Sequence, residues 1–321
     1  MAGFSTTNDD HLIRSNLWSA ELKDILEFDL MGMKYVKMVT DFPDGDTLNI
    51  PSIGQAEVQD YSEGQAVKYT SMDTGNFTFT INKYKQSGTY ITEKMKQDTY
   101  YLSQLVSSFV PKQRRAIMAA VENDVMAIGP DGQTASNPNT INSAPHRFIG
   151  SGTNETIAIK DFALARYALQ QAAVPLTNLV AIVDPSVEYA LSQTANAVNV
   201  INPNRHWENV IVDGMTTGMR FYFNIFGFDV YVSQFLKTGV NETITAWGSA
   251  RTSAAGVGNL FFSAAPDVLP FIGLVRQPVK VDSEYNKDYQ REEYVTTMRY
   301  GFKLYRPENF VCIVTDTDQV A

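Results

Sequence analysis

The chain has 321 residues, of which 44% are hydrophobic, so it is long enough for two domains with buried cores. Its 35 acidic and 26 basic residues give a formal net charge of -9, which argues against a sequence-independent grip on nucleic-acid phosphates. A single cysteine excludes an internal disulfide framework, and no basic segment followed by an apolar one marks a signal peptide, so we expect a cytoplasmic protein.

The N-terminal segment predicts a polar arm followed by one amphipathic helix. The first ten residues are rich in Ser, Thr, Asn and Asp, which cannot pack a core. Ser15 or Asn16 is a suitable N-cap, and Leu17, Trp18 and Leu22 recur after it at helical spacing.

The next segment changes to short strands and turns. The sequence GDTLNIPSIG at residues 45–54 predicts a turn, a short strand and a second turn. Between Val67 and Ile91 apolar residues alternate with polar ones, and MDTGN at residues 72–76 predicts the turn of a β-hairpin. Both faces of this hairpin would be partly polar, so it would be poorly buried in its own subunit and would need a partner surface.

Helical spacing returns at Asp98, and Pro111 either kinks that helix or begins a second one. From Lys112 to Ile128 one stripe is apolar, and Gly129 with Pro130 predicts the end of the helix. The stripe consists of Ile117, Ala120, Val121, Val125 and Ile128. The Gly, Asn, Ser and Pro-rich segment at 130–156 predicts a loop between two folding units.

The following segment predicts α/β structure. Residues 159–173 form an amphipathic pattern typical of a helix, and residues 179–183 are a continuous apolar run typical of a buried strand. Asp184 and Pro185 are an N-cap and a first-turn proline for a helix through Leu191. Residues 219–235 predict two strands with a bend at Gly227, and a flexible loop is expected at 237–258.

The chain closes with predicted strands around Val279 and Val281, at residues 298–304 and in FVCIV. In the second of these, Met298, Tyr300, Phe302 and Leu304 share one face opposite Arg299 and Lys303. The apolar stretch from Leu260 to Val275 contains an aspartate and two prolines and is too short to cross a bilayer, so no membrane segment is predicted.

Residues that could carry catalysis are sparse and scattered. The three histidines, His11, His146 and His206, have no spacing typical of a zinc site or a catalytic triad. The glycine motifs GMTTGM at Gly214 and GVG at Gly256 lack the features of dinucleotide and phosphate loops, so both are interpreted as turns.

The remaining candidates have a structural interpretation. Glu292 and Glu293 are adjacent, so on a strand they would point to opposite faces and form a solvated or interfacial charge row. Cys312 lies in an apolar strand without an adjacent histidine and is interpreted as a buried small hydrophobe. The run from Asp282 to Glu293 mixes both charge signs with tyrosines, which is typical either of a solvated edge or of an intersubunit contact steered by charge. The sequence predicts no catalytic, cofactor-binding or metal-binding residue.

The order of these elements resembles the major capsid proteins of tailed bacteriophages of the Hong Kong 97 type. LWSAELKDILEFDL, GDTLNIPSIG and YSEGQAVKYTSMDTGNFTFTINKY are similar to the arm and extended loop of that family. ITEKMKQDTYYLSQLV and RRAIMAAVENDVM are similar to its long spine helix, and AIVDPSVEYAL and GFDVYVSQFL to its axial domain. The closing RQPVKVDSEYNKDYQREEYVTTMRYGFKLYRPENFVCI is similar to the strands that return to its peripheral domain. Together these segments span nearly the whole chain.

The resemblance implies an α+β capsid fold with five parts. They are an N-terminal arm and helix (1–50), an extended β-hairpin loop (51–97), the spine helix with the peripheral domain (98–155), an axial domain (156–275), and the return strands of the peripheral domain (276–321).

The resemblance also implies a function. Copies would assemble as hexamers and pentamers into an icosahedral shell that encloses double-stranded DNA without sequence-specific binding. Scaffolding, portal and decoration proteins are possible partners, and assembly would take place in the cytoplasm of the host bacterium. Lys68, Lys83 and Lys85 lie near the extended loop, but no asparagine partner can be assigned, so covalent cross-linking is not predicted.

Two alternatives remain. An encapsulin, a cellular compartment of the same fold, would enclose cargo enzymes rather than DNA. A soluble α/β enzyme would use a pocket around Asp184 and His206.

Overall fold

The computed structural model describes residues 32–39, 47–53, 74–98, 102–191 and 221–317, with isolated positions at 45, 58, 60, 63–64 and 66. The predicted arm, the helix after Ser15, and the residues Lys68, His206 and Gly214 lie outside the described residues. Among the described residues, no helix is both long enough and apolar enough to cross a membrane.

The helices and strands are as follows. The helices are α1 (Glu93–Asp98), α2 (Leu102–Gly132) and α3 (Ile159–Gln171), and residues 185–191 are also helical. The strands are β1 (Val36–Met38), β2 (Thr47–Ile53), β3 (Thr74–Thr80), β4 (Lys83–Thr92), β5 (Thr140–Ile141), β6 (Ala144–Pro145), β7 (Arg147–Ile149), β8 (Leu179–Val183), β9 (Phe221–Ile225), β10 (Phe228–Val232), β11 (Thr243–Ala246), β12 (Ser249–Thr252), β13 (Gly256–Ser263), β14 (Phe271–Asn286), β15 (Arg291–Leu304) and β16 (Val311–Asp316).

A six-stranded mixed sheet in the order β7-β16-β13-β8-β10-β9 lies between two hydrophobic cores. Every residue of the central strands β16, β13 and β8 is buried, because both faces of the sheet are covered. Ile182, Leu260 and Val314 join Val121 of α2 in one core. Phe261 and Ile313 belong to the other core, which is closed by α3.

A second sheet has four strands in the order β1-β14-β15-β4. Its two central strands are long, with 16 residues in β14 and 14 in β15. Helix α2 lies across one face, where Thr296 of β15 donates a hydrogen bond to Gln113 at 3.1 Å. Three further pairs of strands are two-stranded: β2 with β3, β5 with β6, and β11 with β12.

Several predicted elements are confirmed. Helix α3 and strand β8 lie where the apolar patterns placed them. The Asp184 carboxylate accepts a hydrogen bond from the Ser186 backbone N–H at 2.9 Å, as expected for an N-cap. Strands β9 and β10 pair in antiparallel fashion across a bend in which Gly227 has a φ of +87°.

The predicted turn at MDTGN is wrong over Thr74–Asn76, which lie inside β3 and pair with residues 51–53 of β2. The glycine there is needed for close approach of the two strands, because a Cβ on Gly75 would lie 2.5 Å from the Ser52 hydroxyl oxygen. Gly256 is likewise not in a turn but begins β13.

The predicted end of the spine helix at Gly129 and Pro130 is also wrong, since α2 passes through Pro111 and continues to Gly132. Gly129 allows the Phe310 ring to pack against the helix, because a Cβ at this position would lie 2.2 Å from the ring. The loops predicted at 130–156 and 237–258 contain short hairpins. In the β11–β12 hairpin of the second loop, Trp247 and Gly248 both have positive φ. Tryptophan is not a residue typical of this turn geometry, so the sequence did not indicate the turn.

Candidate assembly surfaces

The ribbon formed by β2 and β3 projects polar and apolar side chains that its own subunit does not cover. In β3, Gly75, Asn76, Thr78 and Thr80 are exposed, Phe77 is half-buried and Phe79 is buried. A two-stranded ribbon with so little buried surface is marginal by itself in water. This agrees with the predicted need for a partner surface.

The base of this ribbon is fixed firmly to the four-stranded sheet. Phe79 packs in a small core with Ile272 and Leu274 of β14. The Lys303 ammonium donates a hydrogen bond to the Thr78 carbonyl at 2.7 Å and lies 4.9 Å from the centre of the Phe77 ring. The ribbon is therefore held at one end, where Leu48, Ile50 and Phe77 are half-buried against this core, and Pro51, Ser52, Gly75 and Asn76 beyond them are exposed.

The far end of the four-stranded sheet forms a second uncovered surface, which contains the predicted charge run from Asp282 to Glu293. Residues 280–285 of β14 are all exposed. At the tip, the Arg291 guanidinium lies 4.6 Å from the ring centres of both Tyr90 and Tyr289, which are 57% and 67% exposed. Tyrosine and arginine are the residue types that protein interfaces favour.

The two adjacent glutamates at this end form separate ion pairs. Glu292 lies 2.6 Å from the Lys96 ammonium of α1, and Glu293 lies 2.6 Å from Nε of Arg291. The two carboxylates do not converge on a common point, in agreement with their interpretation as a charge row.

Asp124 joins the spine helix to the sheet beneath it. Its carboxylate accepts hydrogen bonds from Lys83 at 2.7 Å and from the Tyr300 hydroxyl at 2.5 Å, and Lys85 lies 3.4 Å away. Burial by itself would raise the pKa of Asp124, but the bonds from Lys83 and Tyr300 and the charge of Lys85 outweigh it and lower the pKa. Burial and the bond to Asp124 both raise the pKa of Tyr300.

A cleft of about 380 Å³ beside this junction is lined by Lys83, Asp124, Asp131 and Lys303, among others. Its charged groups are already engaged: Asp124 with Lys83, Asp131 with Lys237, and Lys303 with the Thr78 carbonyl. Its lining residues therefore form a network of structural ion pairs rather than a set of free acid and base groups.

Arg147 and Glu242 form a buried ion pair that the sequence did not indicate. Arg147 of β7 is only 1% exposed and binds Glu242 through two hydrogen bonds of 2.9 and 3.0 Å. Its Nη1 also donates to the Pro130 carbonyl at 3.1 Å, which supplies a partner for an orphan carbonyl in the last turn of α2. The pair connects the end of the spine helix, the six-stranded sheet and the segment before β11.

His146, which has no motif spacing, and Cys312, which is predicted to be a buried small hydrophobe, are both buried. The Cys312 N–H donates to the His146 carbonyl at 2.8 Å, but within the described part of the chain no hydrogen bond joins the two side chains. Burial lowers the pKa of His146 and raises the pKa of the Cys312 thiol to about 11, so neither favours its ionised form. Over the same residues, no group of His, Cys, Asp and Glu could hold a metal ion.

Comparison with known proteins identifies the family. The model of the phage capsid protein family matches residues 76–313. The fold is similar to a chain of Mycobacterium phage Che8, with a TM-score of 0.68, 14% sequence identity, and coverage of 95% of this chain and 97% of that chain. It is also similar to a chain of the cyanophage Pam1 capsid, with a TM-score of 0.68, 13% identity, and coverage of 98% and 99%. No curated protein sequence matches the chain. Because the family model spans well over half of the sequence, the chain belongs to the phage capsid protein family and is a structural subunit of a phage capsid.

Proposed function

We propose that the chain is a major capsid protein of the Hong Kong 97 type, and that its copies assemble as hexamers and pentamers into an icosahedral shell around the double-stranded DNA of a tailed phage. The observation that carries this proposal is the β2/β3 ribbon, which is anchored at its base by Phe79 and is exposed beyond Ile50 and Phe77 at Pro51, Ser52, Gly75 and Asn76. A ribbon of this kind gains its stability from a surface of another subunit. Laid over an adjacent copy, it would link each subunit to the next one around a ring.

The proposal assigns a role in the shell to each part of the chain. The arm and helix at 1–50 reach a neighbouring subunit, and residues 51–97 form the extended loop. The spine helix with its peripheral domain occupies 98–155, and the return strands occupy 276–321. The axial domain at 156–275 meets its copies at the centre of each hexamer or pentamer.

The net charge of the chain supports a shell that encloses DNA without binding it tightly. A net charge of -9 gives the lumen no strong general attraction for phosphates, so DNA can be packaged and later released. Scaffolding, portal and decoration proteins are the partners that such a shell takes, and assembly in the cytoplasm of the host bacterium agrees with the single buried cysteine.

The test is electron microscopy of the high-molecular-weight fraction after expression of the chain alone and together with its genomic neighbours. Closed shells or sheets of hexamers are the expected result, and nuclease-protected double-stranded DNA inside them identifies a phage capsid. Shells that contain protein cargo and no DNA would instead identify an encapsulin. Subunits that stay monomeric with the neighbours present would refute the proposal.

A further inference from the structure

Among the described residues, the outer edge of the four-stranded sheet has a partner strand only at the start of β14. Strand β1 pairs with β14 only at Phe271–Gly273, and the last bond on that side joins the Val39 N–H to the Gly273 carbonyl. Beyond this point, no strand among the described residues pairs with the outer edge of β14, while its inner edge pairs with β15 as far as Asn286. An edge of this kind presents unpaired backbone donors and acceptors to a further strand.

The side chains along this edge are exposed and carry both signs of charge. Lys280 and Asp282 lie on one face of the strand with side chains 62% and 58% exposed, and Val281, on the other face, is 40% exposed. Pro278 sits at an irregularity in the pairing with β15 and has no N–H to donate, so it limits the regular edge to the residues that follow it.

We infer that β14 pairs with β14 of a second copy of this chain, antiparallel and across a two-fold axis at Val281. The inference rests on the proposed function, because it names one contact between copies in the shell. In this pairing Val281 faces Val281 of the second copy, Lys280 faces its Asp282, and Val279 faces its Ser283. Five residues of each edge, 279–283, are then paired.

The charges select this register over its neighbours. Opposed residues of an antiparallel pair lie on the same face of the sheet. In a pairing related by a two-fold axis, one residue therefore lies opposite its own copy, and each alternative register places a different residue at this centre. A centre at Asp282 would set that carboxylate against its own copy, and a centre at Lys280 would do the same with the ammonium group. A centre at Ser283 would oppose Asp282 and Glu284. Of these four centres, only the one at Val281 pairs opposite charges without also setting like charges against each other, and like charges directly opposite destabilise a sheet.

A cysteine at the centre of the pairing tests the geometry. The only native cysteine, Cys312, is buried, so the parent chain gives no background of disulfides. In particles of Val281→Cys, mild oxidation is expected to link chains in pairs. Ser283→Cys is the matched control, because its two copies would lie about 13 Å apart, four residues along the strands, too far for a disulfide.

The amount of linked dimer decides the geometrical test. We expect about tenfold more disulfide-linked dimer from V281C than from S283C, since only the first pair has suitable geometry. Equal amounts from the two variants, or V281C linked to any other protein, would overturn the inference.

Exchange of the charges tests the register. Lys280→Asp alone and Asp282→Lys alone each place like charges opposite one another, and particle yield is expected to fall. When the two variants are co-expressed, an edge with two acidic groups meets an edge with two basic groups, and the yield is expected to recover. The recovery cannot come from the ion pair within one chain, because each variant keeps two like charges on its own edge.

The outcomes separate this inference from the proposed function. Particles that form normally from each single variant, or a mixture that assembles no better than either variant alone, would overturn the edge pairing while the shell function stands. Failure of the unsubstituted chain to form particles would overturn the proposed function and the pairing with it.

Discussion

Arg147 is among the largest fully buried side chains of the subunit, and Glu242, which compensates its charge, is about a quarter exposed. Water can therefore solvate the carboxylate if the arginine is removed, but it cannot reach the guanidinium if the carboxylate is removed. This pair could not be identified from the sequence, because its members are 95 residues apart and each is typical of a surface charge.

Glu242→Gln is expected to destabilise the subunit by about 3 kcal/mol, since it leaves a buried charge without its partner. The double variant R147M/E242Q removes both charges and is expected to be more stable than E242Q alone. Thermal unfolding of unassembled subunits measures both. A double variant less stable than E242Q would show that packing of the arginine, rather than its charge, dominates.

Asp124 has a lowered pKa, so its contribution to stability depends on pH in a defined direction. The contribution is fully present above the ordinary pKa of an aspartate and is lost as pH falls through the lower folded value. Asp124→Asn is therefore expected to lower the urea midpoint at neutral pH, with the difference from the parent shrinking towards about pH 3. A difference that stays constant over this range would show that the carboxylate charge contributes nothing.

At the scale of elements, local patterns predicted helices, strands and the pairing of the neighbouring strands β9 and β10, but not the pairing of strands that are distant in the sequence. Strand β8 and helix α3 were predicted from hydrophobic periodicity, because burial on two faces or on one stripe leaves a direct trace in the sequence. Strand β3 pairs with β2 across twenty intervening residues, so the turn-like motif at MDTGN was misleading. Helix α2 passes Pro130 because contacts from distant residues, Arg147 and Phe310, fix its last turn.

The ribbon of β2 and β3 can be shortened without changing its register. Deletion of residues 51–53 together with residues 74–76 removes three opposed pairs and about 10 Å of length, leaving Ile50 opposite Phe77. We expect an unchanged thermal midpoint of the subunit, since these residues contribute little to its core, and loss of closed shells in electron micrographs. Threonine at Pro51, Ser52, Ile53 and Asn76, with Gly75 retained, keeps the length and is the control. Normal shells from the shortened chain would show that the ribbon does not link subunits.

At the scale of the whole molecule, the prediction of a shell-building subunit is confirmed by the family match over residues 76–313. The sequence allowed this because the order of strands, long helix and α/β unit is preserved, even though individual turns differ from the prediction. The surfaces that join subunits were harder to locate, because exposed tyrosines and charges do not reveal from sequence alone which partner covers them.

The net charge of -9 leads to a prediction about DNA. Purified subunits are expected to give no shift of double-stranded DNA in gels even at low salt, because repulsion from phosphates outweighs local basic groups. A basic variant with several surface glutamates changed to lysine is the positive control. Tight binding by the parent chain that weakens steeply with added salt would contradict the prediction and would place a basic surface on the inner wall.

The six-stranded sheet, which has a hydrophobic core on each face, affects how the subunit resists mechanical force. Strands β13 and β16 lie side by side over six residue pairs, from Gly256 opposite Asp316 to Phe261 opposite Val311. A force along these strands loads all of their hydrogen bonds at once in shear, whereas a force that peels them apart loads the bonds one after another. We therefore expect the subunit to resist stretching within the plane of the sheet far better than peeling from its edge. A shell under internal pressure is therefore expected to be strongest when the tension in its wall runs along the strands of this sheet.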